Sequence, residues 1–143
     1  MLRPSVPVFP RPVDAGTSSR FGLLSTFPPT ECGIATFAAA LSAGLIAAGA
    51  SVDVVRLGSA LPFEDASVVA TMSDDPGVGY GPAVAALNAT EVAIVQHEYG
   101  IYPGPDGADV VAVVEALTVP VIVVAHTVLA HPTAGQREVL ARI

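Results

Sequence analysis

The sequence predicts an α/β fold built on an open, doubly wound parallel sheet. Three observations carry that expectation. Apolar runs (RFGLLS, VDVVRL, VAIVQ and VPVIVVA) alternate with stretches of helical periodicity. The runs are apolar almost throughout, as in strands covered on both faces, and the mean hydropathy of +0.62 agrees. Three of the runs give way to polar residues, at 26–33, 97–102 and 126–131. Ligands of open α/β sheets bind beyond such strand ends.

The elements follow in order. The first strand is Arg20 to Ser25. A helix then runs from about Gly33 to Ala48, with Ile34, Phe37, Leu41 and Leu45 on one apolar face and Gly49 placed to end it. The second strand is Val52 to Leu57, and a short third strand is Ala66 to Met72. The segment SDDPGVGYGP, from Ser73, is rich in turn residues. A short helix spans Pro82 to Asn88, with Pro82 suited to its first position. The fourth strand is Val92 to Gln96.

Asp106 reads as the N-cap of a third helix, with Asp109 in its first turn. Val110, Val113, Val114 and Leu117 supply that helix's apolar stripe. The fifth strand is Val119 to Ala125. Thr133 and Gln136 form a capping-box signature for a fourth helix, whose apolar positions are Val139, Leu140 and Ile143. Right-handed crossovers would place helices on both faces of the sheet.

Composition narrows the function. A chain of 143 residues fits one domain with a real core, and 52% hydrophobic with 13% charged residues is globular. Residues 20–143 form the expected domain, behind a Pro-rich lead-in, 1–19, expected to be disordered. The net charge of −7 and the absence of lysine argue against nucleic acid as a partner. No apolar run reaches the roughly 18 residues of a membrane span. A single cysteine, Cys32, excludes an internal disulfide framework and fits a reducing cytoplasm. The start MLRPSVPVFPRP lacks the apolar core of a signal peptide.

The candidate site residues lie at the three strand ends. In the first segment, Gly33 would let a ligand approach the backbone at a helix N-terminus; a tight β-α turn explains it equally well. Glu31 is expected to point outward, and Cys32 reads as a small packing residue. In the second, His97 can donate to a hydroxyl or phosphate, and Glu98 can accept from a sugar hydroxyl or orient His97. Tyr99 and Tyr102 either wall a sugar site or pack. In the third, His126 closes a wholly apolar strand, where a core role is hard to find for it. His131 reads as a loop residue. The spacing of the histidines does not suit a metal site, and none is expected.

With these residues in view, the chain resembles the N-terminal domain of family 4 retaining glycosyltransferases of the GT-B fold. The resemblance rests on PPTECGIATF (Pro28 to Phe37), QHEYGIY (Gln96 to Tyr102) and PVIVVAHT (Pro120 to Thr127), and covers about Phe21 to Ile143. It implies a Rossmann-like domain, the N-terminal half of a GT-B fold. It implies transfer of a sugar from a nucleotide-diphosphate donor to a sugar, lipid or polysaccharide acceptor, with retention and without a metal cofactor. By resemblance, the backbone of Cys32, Gly33 and Ile34 would approach the donor diphosphate. His126 would be the catalytic-site histidine at the donor sugar. His97, Glu98, Tyr99 and Tyr102 would lie in the cleft on the acceptor side.

The departure from the family is the C-terminal donor domain, which follows in such enzymes and is not in this sequence. The chain therefore reads as truncated and is expected to be inactive alone. An exposed apolar patch is expected where a second domain would pack, and through it a homodimer. Two alternatives remain open: a non-catalytic Rossmann-like module that binds a nucleotide or phosphate, and half of a GT-B sugar-nucleotide epimerase.

Overall fold

The apolar runs become five strands: β1 (Arg20–Ser25), β2 (Ser51–Leu57), β3 (Val68–Met72), β4 (Val92–His97) and β5 (Val121–Ala125). They are parallel and ordered β3-β2-β1-β4-β5. Among the described residues four helices accompany them: α1 (Gly33–Ala47), α2 (Gly81–Asn88), α3 (Asp109–Ala116) and α4 (Ala134–Arg142). The computed structural model describes residues 18–58, 65–73 and 79–143. The expected disordered lead-in therefore lies outside the described residues up to position 17, as does 74–78 of the turn-rich loop.

Helices cover both faces, as the crossover rule requires. On one face, Ala38 of α1 packs with Leu23, Phe27, Val52, Val54, Val68 and Ile94. On the other, Ala83 and Leu87 of α2, Val110 and Val113 of α3 and Val139 of α4 pack with Leu24, Val55, Met72 and Val95. The period-2 alternation of each strand divides its side chains between the two cores. This is the doubly wound, Rossmann-like α/β sheet that the strand and helix pattern predicts.

The register is continuous through the centre. Phe21 to Leu24 of β1 pair with Val92 to Val95 of β4 on one side, and Arg20 to Ser25 pair with Ser51 to Arg56 on the other. At the N-terminal end of the sheet Arg20 joins three strands. Its amide donates to Glu91, and its guanidinium donates to Asp53 Oδ2.

Several local expectations hold for the expected reasons. Gly49 has φ +91° and follows the C-cap of α1. Pro82 sits in the first turn of α2. The Thr133 hydroxyl accepts from the Gln136 amide while the Gln136 side chain accepts from the Thr133 amide, a complete capping box.

Other expectations are corrected. The buried face of α1 is Ala35, Ala38 and Ser42, with Leu41 and Leu45 partly buried beside it, while Phe37 is 45% exposed. Small residues let the helix lie close to the sheet, and this rotates Phe37 outward. Asp106 is not a helix cap. It has φ +55° inside a 3-10 turn at Pro105–Gly107, whereas an N-cap needs extended backbone, and α3 begins at Asp109. Asp109 instead accepts from the Tyr80 hydroxyl at the start of α2. That bond, with burial, pushes the Tyr80 phenol up to about 12. β3 starts at Val68 because Asp65 turns the preceding chain, accepting from the amide and hydroxyl of Ser67. β5 starts at Val121, after Pro120.

Gly22 marks the tightest packing in β1. A Cβ there would stand 2.9 Å from Leu87 Cδ2 and 2.9 Å from Thr90 Oγ1. Gly22→Ala is expected to destabilise the chain by about 1–3 kcal/mol through overpacking. Urea denaturation checks it, and an unchanged midpoint would contradict the close fit of α2 on β1.

Candidate functional site

The order β3-β2-β1-β4-β5 reverses direction between β1 and β4. Beyond their C-terminal ends lies the crevice where ligands of such sheets bind. The expected segments stand there: 26–33 after β1, 97–102 at and after β4, and 126–131 after β5. Alternation decides which residues share a face. Leu23 and Ile94 face α1, so Ser25 and Gln96 do too. Val54 faces α1, so Arg56, in register with Ser25, also lies on that side and is buried. His126 joins this group, its ring edge-on to Phe37 of α1 with centroids 5.1 Å apart.

The first segment ends in a helix cap. Cys32 has extended backbone, φ −149° and ψ 160°, and its Sγ accepts from the Ala35 amide at 3.4 Å. The Thr26 hydroxyl stands 3.3 Å from the same sulfur. Burial pushes the thiol up, but the Thr26 hydroxyl and the Ala35 and Ile34 amides outweigh it, and the thiol lies below its ordinary value. Cys32 is thus a polar cap, half-buried, and not the packing residue its type suggests. Glu31 is exposed, as expected. A Cβ on Gly33 would meet nothing within 4 Å, so the outer side of this turn is open.

The second segment is divided between the faces. His97 belongs to the α3 side, fully buried at 0% exposure. Its ring stacks on Tyr102 and meets Tyr99 edge-on, with centroids 6.4 and 4.9 Å away. Neither ring nitrogen has a partner among the described residues. Burial holds His97 below the ordinary imidazole range, with Glu98 opposing and His126 adding to the shift. The placement of His97 and Tyr102 in an open cleft is therefore corrected: strand alternation turns His97 into the core, and the loop after β4 brings Tyr102 back to stack on it. The Tyr102 hydroxyl donates to the Gln96 carbonyl at 2.6 Å, and burial raises its phenol well above the usual range. Tyr99 is half-buried. Glu98 braces two strand ends, accepting from the Tyr99 amide and the Thr127 hydroxyl.

The third segment carries His126, which is exposed. Its amide donates to the His97 carbonyl at 2.9 Å, continuing the β4–β5 ladder past Ala125. Its Nε2 meets Gln96 Oε1 at 2.5 Å. Val128 and Leu129 after it are exposed apolar residues, as are Phe37 beside it and Ile122 on β5. His131 is exposed in the loop before α4.

The structure thus brings together His126, Gln96 and Phe37 of α1 on one face, and places His97 and Tyr102 behind them. Gln96, Arg56 and Thr26 were not among the candidates from sequence. Alternation was the signal available for Gln96: two residues past Ile94, it must share the α1 face. Among the described residues no cluster of three or more histidine, cysteine or carboxylate side chains could hold a metal. Nor is any helix among them long and apolar enough to cross a membrane.

No protein-family model matches this chain, and no curated protein matches its sequence. A solved structure does match in fold. It is an alpha-glucosyltransferase in complex with UDP and a 13-mer DNA containing a HMU base, with a TM-score of 0.58 and 17% identity. The likeness covers 88% of this chain and 36% of that one, so this chain spans little more than a third of its length. The likeness is one of fold, a Rossmann-like α/β domain.

Two outcomes follow from the titrating groups. His97 is lower in the folded chain than in the unfolded one, so below about pH 6.5 the unfolded state takes up the proton first. Its contribution to stability is complete above that pH and is lost as pH falls through the folded value. The urea midpoint is expected to drop from pH 8 to pH 5, with a shallower fall in His97→Gln; equal slopes would contradict the buried neutral ring. Cys32 is expected to react with iodoacetamide at pH 7 faster than an unstructured cysteine, and Thr26→Val to slow it. Mass spectrometry of timed aliquots reads both rates.

Proposed function

We propose that this chain is the N-terminal, acceptor-side domain of a glycosyltransferase. In this reading the enzyme moves a sugar from a nucleotide-diphosphate donor to a sugar, lipid or polysaccharide acceptor, with retention at the anomeric carbon. One observation carries the proposal: His126 packs edge-on against Phe37 of α1 and meets Gln96 at the C-terminal end of β4, one strand from the topological switch point. The fold shared with a UDP-bound glucosyltransferase supports it.

The chemistry assigned to each part follows from its type. The amides of Cys32, Gly33 and Ile34 lie in the first turn and cap of α1, where the helix dipole favours negative charge. They suit a diphosphate whose charge grows as the sugar leaves, and no acidic residue stands in the first turn of α1 to oppose it. His126 contacts the donor sugar, and Glu98 and Tyr99 form the acceptor-side wall. Further cations come from a second domain, since this chain has no lysine. The exposed apolar surface around Phe37, Val128 and Leu129 receives that domain, or a second copy of this chain. A nucleic-acid acceptor is not carried over, because a net charge of −7 repels a phosphate backbone.

Titrating the 15N-labelled chain with UDP-glucose tests the reading. Amide shifts are expected at 32–34 and at His126. Gly33→Ala keeps the fold, because its Cβ meets nothing, and weakens binding about tenfold, a change of roughly 1.4 kcal/mol. Shifts confined to other segments, or a Gly33→Ala variant that binds equally well, would overturn it. The chain alone is expected to transfer no sugar, and steady-state product in a radiolabelled-donor assay would refute that part.

A further inference from the structure

We infer that Gln96 is a positioning residue that sets the proton on His126 and makes its Nδ1 a hydrogen-bond acceptor. Gln96 is fully buried at the end of β4, and its Nε2 has no partner among the described residues. A half-satisfied amide in a sheet core costs stability, and an apolar residue of the same size would pack there without that cost. The one bond the side chain makes is Oε1 to His126 Nε2, at 2.5 Å.

The backbone holds both partners in place. Gln96 pairs with Val124 across the ladder, the Tyr102 hydroxyl donates to the Gln96 carbonyl, and the His126 amide donates to the His97 carbonyl. Phe37 stops the imidazole from the α1 side. The ring is thus held toward Gln96 by that bond and by the edge of Phe37. A carbonyl oxygen only accepts, so Nε2 carries the proton. A neutral imidazole has one N–H, which leaves the lone pair on Nδ1. The charged or titrating groups on the elements around this pair include His97, behind it on the α3 side, Glu98, which already accepts from Tyr99 and Thr127, and Arg56, buried on the α1 side two strands away.

The consequence is a selectivity, and it rests on the function proposed above. An acceptor nitrogen takes a ligand group that donates. A sugar hydroxyl fits, and an unprotonated phosphate oxygen does not. Gln96 thereby directs the sugar of the donor, and not its diphosphate, to His126.

Long-range 1H–15N correlation spectra of the histidine-labelled chain at pH 8 test the assignment without any ligand. His126 is expected as a single Nε2–H tautomer, with exposed His131 as the reference for an unconstrained ring. Gln96→Leu is expected to give a tautomer mixture. Gln96→Glu puts a carboxylate oxygen, also an acceptor, in the same place and retains Nε2–H. An Nδ1–H ring in the parent chain, or the same single tautomer in a folded Gln96→Leu chain, overturns the inference. If Gln96→Leu does not fold, Gln96→Asn, one methylene too short to reach, is held to the same criterion. A second arm compares UDP-glucose with UDP. Gln96→Leu is expected to lose about tenfold for UDP-glucose and nothing for UDP; an equal loss for both overturns the selectivity. Failure of UDP to bind any variant would sink the proposed function and leave the tautomer result standing.

Discussion

The pairing of β1 with β4 is the constraint on which the rest of this molecule depends. Every other strand is added outward from that pair, and both members are buried on two faces. To make the pairing, the chain leaves β3 at one edge and crosses the sheet through α2 to reach β4. The order therefore reverses at the two central strands, and the segments after β1 and β4 leave the sheet beside that reversal. The candidate site is a product of strand order as much as of the residues in it.

Alternation then assigns each polar strand-end residue to one of two environments. Gln96 and His97 are neighbours in sequence, yet one faces α1 and the other packs behind it with Tyr102. Two adjacent polar residues at the close of an apolar strand cannot both line the same crevice. The buried imidazole and tyrosine form a firm backing, and the glutamine and the exposed histidine form the surface on the α1 side. Glu98 ties the two strand ends through Thr127 and keeps the backing and the surface in fixed relation.

Much of this was legible in the sequence. The strands were readable because apolar runs covered on both faces leave few alternatives, and the start of α4 because a capping box is local chemistry. The errors have a common physical origin in packing that local patterns do not record. Leucine and phenylalanine spacing pointed to a large-residue face on α1, but alanine and serine allow closer approach and won the contact. Asp106 resembled a cap by type, while the turn through Gly104 and Gly107 gave it a left-handed backbone. His97 looked solvent-facing by polarity, and the parity of its strand settles its burial. Gln96 was readable in principle through the same parity, which had to be combined with the β4–β5 register to reveal its partner.

The central pairing also sets how this chain reaches its structure. The contact of Arg20 with Glu91, at the start of β1 and β4, spans 71 residues of sequence. No hairpin shortens the search, because parallel neighbours cannot be joined by a tight turn. The chain must close that loop before the central strands reward it, and its conformational entropy stands against the closure. A fold so dominated by non-local pairing belongs with the slower two-state domains. While β1 waits for β4, its apolar face and that of β2 remain open to solvent, so the route to the folded state is also the interval in which the chain is most prone to associate.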